Sequence, residues 1–163
     1  MADLIVADAS PLIVLARVGH LRTLARVAGK IIVPDIVAQE CLHNPARPGA
    51  QHIGEAFALG LLSRQPKYPT AGPVNAPGLD EGESAAIGLA VALQAPILID
   101  ERIGRQVAQL HSLKVIGTLG ILLIAKQRGY IELIAPVIAS LKQESFFIAP
   151  ILERDVLIRA GEN

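Results

Sequence analysis

A chain of 163 residues that is 52% hydrophobic, with a mean hydropathy of +0.46, is too apolar for a disordered segment and has the length of one domain, expected to span residues 1–163. Lys plus Arg and Asp plus Glu balance at 15 each, so no global charge draws the chain to nucleic acid, and such a substrate would need local contacts. Asp, Pro or Gln interrupts every apolar run short of a membrane span, the start carries Asp3 and no basic leader region, and Cys41 has no second cysteine to pair with, so a cytoplasmic, membrane-free protein is expected.

Leu4–Ala7 is a short continuous apolar run, as a strand buried on both faces requires. Ser10 then Pro11 reads as a helix cap followed by the first helical residue, with Leu12, Leu15 and Ala16 at helical spacing and Gly19 to end the helix. A second short helix is expected over 20–28, then the strand KIIVP, then a helix in PDIVAQECLH and a turn at NPARPG. Residues 50–60 read as helix and LLSRQ as a strand. Four prolines and further turn formers make 66–79 the main loop, with the composition of a flap. LDEGESAAIGLAVAL reads as a helix despite its glycines, APILID as a strand, ERIGRQVAQL as a helix, KVIG as a strand and TLGILLIAKQRG as a helix capped by Thr118. Helices near 131–142 and 150–160 close the chain. Strands alternating with helices predict an α/β fold with a mostly parallel sheet.

Ligands of open parallel sheets bind beyond the carboxyl ends of the strands. Asp8 follows LIVA and Asp100 follows PILI, so both carboxylates fall at that edge. Glu83 shares a helical face with Ala86, Ile87 and Ala90, and Glu40 shares one with Ile36 and Val37, so both acids are expected on faces that pack inward. Glu81 falls nearly opposite. No Lys or Arg shares the stripe of either glutamate at a spacing of three or four. Four acids drawn together would repel one another and raise their pKa values unless a cation entered. Oxygen-only ligands select a hard ion, magnesium or manganese, which polarises a phosphoryl oxygen and activates water.

Each acid also has a purely local explanation. Asp8 suits the turn before Pro11, and Asp100 suits the cap of the helix that follows it. Asp80 and Glu83 have the spacing of a capping box, and Glu40 lies near a helix end where its charge can reach solvent. Cys41, His43, His20, His52 and His111 lack zinc-ligand spacing, and Cys41 reads as a small buried side chain. Ser10 lacks a nucleophile elbow, and no phosphate-cradling glycine loop is present. Arg102 and Arg105 open the helix after Asp100 as solvated charges or as phosphate holders.

The ordered set DASPLI (8–13), VPDIVAQE (33–40), LDEGESAAIGLA (79–90), ILIDERIGRQVA (97–108) and VIGTLGILLIAKQRG (115–129) resembles the PIN-domain nucleases, in particular the VapC-like toxins of toxin–antitoxin pairs. The resemblance implies a three-layer α/β/α fold with strand order 3-2-1-4-5, Asp8 beside Asp100, and magnesium- or manganese-dependent RNA hydrolysis. It carries over Asp8, Glu40, Glu83 and Asp100 as the acids, Glu101 as a fifth ligand, and Ser10 and Thr118 as hydroxyl positions that order the site. It also implies a cognate antitoxin and a homodimer. Two positions depart from the pattern: Ala9 stands where relatives often carry a hydroxyl, and the third acid sits in a GE context rather than nearer the apolar helix segment.

The mechanism expected from these residues makes Asp8 and Asp100 the primary metal ligands, with Glu83 completing the shell. Glu40 orients or deprotonates the attacking water, and Arg102 or Arg105 positions the phosphate. Two competitors stand beside it. A phosphatase with an aspartyl nucleophile would place a second acid two residues after Asp8, where the chain has Ser10. A non-catalytic partner-binding module would keep the acids as a vestigial or regulatory metal site.

Overall fold

The computed structural model describes residues 4–65 and 72–162. Five strands form one parallel sheet: β1 (Leu4–Ala7), β2 (Lys30–Pro34), β3 (Ser63–Gln65), β4 (Ile97–Leu98) and β5 (Val115–Ile116), in the order β3-β2-β1-β4-β5. This is the order that the family resemblance implies. The chain builds outward from β1 to β3, then returns to add β4 on the other flank of β1. The switch point, where a crevice opens beyond the strand ends, therefore lies between β1 and β4.

Period-two alternation divides the sheet into two faces, each with its own core. Ile5, Ala7, Ile31, Val33 and Leu98 pack into the larger core. That core is completed by α1 (Ala9–Arg17), α2 (Leu21–Ala28), α3 (Asp35–Leu42), α4 (Ala50–Ala58) and α7 (Thr118–Gln127), and α8 (Ala135–Gln143) and α9 (Pro150–Arg159) add Val137, Ile138, Leu141 and Val156 to it. Val6, Ile32, Ile97 and Ile99 face the other way, onto α5 (Glu81–Leu93) and α6 (Arg102–Leu110). Ile87, Ile97 and Ile99 are fully enclosed, and each such side chain contributes about 1.5–3 kcal/mol. The result is the three-layer α/β/α arrangement.

Helix α5 is buried on more than one side, which explains its glycines. Residues 72–79 run along it: the Val74 amide donates to the Ser84 carbonyl, and Val74, Ala76 and Leu79 pack onto the smaller core. A β-carbon at Gly88 would overlap the Gly72 carbonyl oxygen, so only glycine admits the strap so close. The described part of the expected loop is thus pinned to α5. The flap expectation for 66–71 lies outside the described residues. No helix among the described residues is long and apolar enough to cross a membrane.

Candidate active site

The chain turns from β1 straight into α1. Asp8, in extended backbone, is the cap residue, and the helix starts at Ala9. This corrects the expectation that Ser10 caps and Pro11 leads. Ser10 lies exposed within the first turn, because the strand ends immediately before Asp8 and leaves no room for a longer linker. The Asp8 amide donates to the Leu98 carbonyl of β4 (3.0 Å), which fixes Asp8 at the switch point. Its side chain is 4% exposed. Burial pushes the Asp8 carboxyl up to about 7; the Ala9 amide opposes the rise, and Glu83, Asp80 and Glu40 add to it by repulsion.

Those three acids come from α3 and from the head of α5. Asp80 caps α5 and accepts from the Glu83 amide (2.7 Å), while the Glu83 carboxylate accepts from the Asp80 amide (3.0 Å). The capping box is therefore real, and it holds Glu83 where the face pattern puts it, buried and beside Asp8. Burial and the neighbouring Asp80, Glu101 and Glu40 raise the Glu83 carboxyl against the Asp80 amide bond. Glu40 departs from expectation: it is exposed, because the buried stripe of α3 is Val37, Ala38 and Cys41, and Glu40 stands at its margin. Its carboxylate nevertheless leans over the first turn of α5. A β-carbon at Gly82 would lie 3.0 Å from Glu40 Oε2 and 3.5 Å from Asp80 Oδ1. Partial burial and Asp80 raise the Glu40 carboxyl, with Arg47 opposing. Cys41 is buried behind this group, its thiol pushed up to about 12 by burial and by Glu40 and Asp8.

Asp100 has different surroundings. It does not cap α6; Glu101 does, accepting from the Gly104 amide (2.7 Å). The two Asp100 oxygens accept instead from the Thr118 amide (2.8 Å) and the Thr118 hydroxyl (2.5 Å). Thr118 is fully buried and is the first residue of α7, whose cap is Gly117; the expected Thr118 cap is replaced by a clamp on Asp100, because the backbone already turns at Gly117. Burial raises the Asp100 carboxyl, while the two Thr118 bonds and the Arg105 charge oppose the rise. Arg105 Nη1 donates to the Ile99 carbonyl (3.0 Å), and Arg102 is exposed at the start of α6.

The structure thus gathers Asp8, Glu40 and Glu83, with Asp80 as a member that sequence reading assigned to capping alone. The signal for Asp80 lay in the acid-rich turn LDEGE: a cap beside a buried glutamate shares its pocket. Asp100 follows β4, the strand beside β1, but its carboxylate is engaged by Thr118 and is not among the acids that act on Asp8. As the side chains stand, no group of three or more His, Cys, Asp or Glu among the described residues is arranged to hold a metal ion. The donor set is all oxygen and short of cations, which in chemistry suits a hard divalent ion.

The family model described as DUF3368, a PIN domain, matches residues 4–162, and the chain belongs to the PIN-domain family. PIN domains are generally nucleases that use divalent metal ions. Among solved structures the fold is similar to a PilT N-terminus domain protein from the hyperthermophilic archaeon Sulfolobus solfataricus P2. That match has a TM-score of 0.54 and 16% identity, and covers 75% of this chain and 92% of the other. No curated protein matches the chain.

Proposed function

We propose that this chain is a single-domain, magnesium- or manganese-dependent endoribonuclease that acts as the toxin of a toxin–antitoxin pair, with a cognate antitoxin and a second copy of itself as partners in the cytoplasm. One observation carries the nuclease reading. In a PIN fold, at the switch point of the sheet, Asp8 is buried with Glu83, Asp80 and Glu40 pressing on it and no basic side chain among the groups that shift it. A protein gains nothing in stability from such a group; a site that admits a cation does.

Asp8, Glu83 and Asp100 would hold the ion, and Glu101 lies close enough to act on Glu83. Bound there, the ion would polarise the phosphoryl oxygen and make its water more acidic. The chain's own residues do the rest. The α5 cap fixes Glu83, and Thr118 fixes Asp100. Glu40, exposed at the rim and raised in pKa, accepts a proton from the attacking water. Arg102, exposed at the start of α6, reaches the RNA phosphate.

A second reading, a partner-binding module with a vestigial metal site, is favoured by the Asp100 carboxylate being spent on Thr118. Turnover separates the two. Purified protein with manganese or magnesium should cut RNA, and Asp8→Asn should not. A wild type inactive on varied RNAs, or an Asp8→Asn protein that cuts equally well, would end the nuclease reading.

A further inference from the structure

Arg105 has surroundings that suit it poorly to a phosphate and well to a different task. It is half-buried, and one of its donors is taken by the Ile99 carbonyl (3.0 Å), the peptide unit that leads directly into Asp100. Ile99 itself is fully buried, so this anchor is fixed. The guanidinium and the Asp100 carboxylate also share one space above Gly117. A β-carbon there would lie 2.7 Å from Arg105 Nη1 and 2.9 Å from Asp100 Oδ1. Thr118 fills the other side of the same carboxylate through its amide and hydroxyl. No ion pair joins Arg105 to Asp100 among the described residues, so its charge acts on Asp100 through space while its hydrogen bond orients the Ile99–Asp100 peptide.

We propose that Arg105, lodged over Gly117, is a positioning residue that holds Asp100 as an oriented ligand, leaving Arg102 as the cation that meets the substrate phosphate. This rests on the reading of Asp8, Glu83 and Asp100 as a metal site. Groups that orient the ligands of a metal commonly change its affinity by about 10–100-fold when removed. Glycine at 117 belongs to the same device, since any side chain there would push the two charged groups off their places.

The test is manganese affinity of the full chain, read by electron paramagnetic resonance, together with the division of RNA-cleavage effects between kcat and KM. Arg105→Ala should weaken manganese binding about tenfold or more and lower kcat with KM little changed, and Arg105→Lys should recover part of the loss. Gly117→Ala should produce the same loss by crowding, a second route to the result should Arg105→Ala fail to fold. Arg102→Ala should raise KM and leave manganese affinity as it was. Wild-type manganese affinity in a folded Arg105→Ala protein whose KM has risen would assign Arg105 to the phosphate and overturn the proposal alone. An equal manganese loss in Arg102→Ala would also overturn it, since any nearby positive charge would then suffice. A wild type that binds no manganese would overturn the metal-site reading itself, and this inference with it.

Discussion

Asp8 leaves β1 and Asp100 leaves β4 on adjacent strands, joined across the sheet by the bond from the Asp8 amide to the Leu98 carbonyl. Both carboxylates are removed from water. Asp100 meets a hydroxyl, an amide and a nearby guanidinium. Asp8 meets three more acids, and the Ala9 amide alone counters them. Burial raises both carboxyls, but at one of them donors and a positive charge oppose the rise, and at the other neighbouring acids add to it. The difference teaches where compensation is missing: Thr118 and Arg105 already orient the Asp100 end, while the Asp8 end lacks positive charge.

The largest expected effect follows from that lack. Asp8 has a folded-state pKa of about 7 against an unfolded value near 3.8. Between those values the folded chain holds a proton that the unfolded chain has released, so stability falls as pH rises through the window and levels off above about 7. The cost at pH 8 is on the order of 4 kcal/mol. With a chelator present, Asp8→Asn should be more stable than wild type at pH 8 by a few kcal/mol, and the gap should close below about pH 4; urea denaturation across pH measures it. The same substitution should reduce metal-dependent RNA cleavage on the order of a hundredfold or more. A neutralised Asp8 that destabilises the protein at pH 8 would break the comparison at its stronger end.

Most of this architecture can be read from the chain because local rules agree with the tertiary outcome. KIIVP and LIVA are strands that need burial on two faces, and the α/β alternation allows few other arrangements. The placement of Asp8 and Asp100 at the carboxyl edge of the sheet followed from strand ends, their place at the switch point came only with the family resemblance, and the burial of Glu83 followed from its spacing to Ala86, Ile87 and Ala90. Illegible were the features set by partners far along the chain. Nothing local says that Asp100 is clamped by a hydroxyl 18 residues on rather than capping α6. Glu40 shares a face with Ile36, but Ile36 is itself only half-buried, so the stripe is narrower than the sequence pattern suggests. The glycines of α5 looked like defects; they are the places where the 72–79 strap and the Glu40 carboxylate come close.

At the Asp100 end, Thr118→Val keeps the shape and removes the hydroxyl donor. A hydrogen bond to an ionised group is worth about 1.5–3 kcal/mol, and here its loss leaves a carboxylate oxygen facing a methyl group. The expected outcome is a loss of stability of that size wherever Asp100 is ionised, opposite in sign to Asp8→Asn. Without the hydroxyl the Asp100 carboxyl should also rise further, so the loss belongs to the pH range where Asp100 is ionised and shrinks as acid protonates it. Matched urea titrations at pH 7 and pH 4 read both points. Equal effects at the two pH values would mean that the hydroxyl serves packing rather than the charge.

The smallest expected effect concerns the rim. Gly82→Ala in the first turn of α5 gains helix propensity, up to about 1 kcal/mol, since its backbone is not in the left-handed region. The added β-carbon would lie 3.0 Å from Glu40 Oε2, the far end of an exposed and flexible side chain that can swing aside. Stability should therefore stay level or rise slightly, while Glu40 is drawn off its place over the α5 turn. If Glu40 takes the proton of the attacking water, cleavage should fall although the fold is unharmed. A urea midpoint and an RNA cleavage rate measured on the same preparation divide the outcomes. A fall in rate at unchanged stability places Glu40 in the chemistry. An unchanged rate leaves it as one more charge pressing on Asp8, in which case relief of that pressure should lower the Asp8 pKa slightly and move the pH window of the first prediction with it.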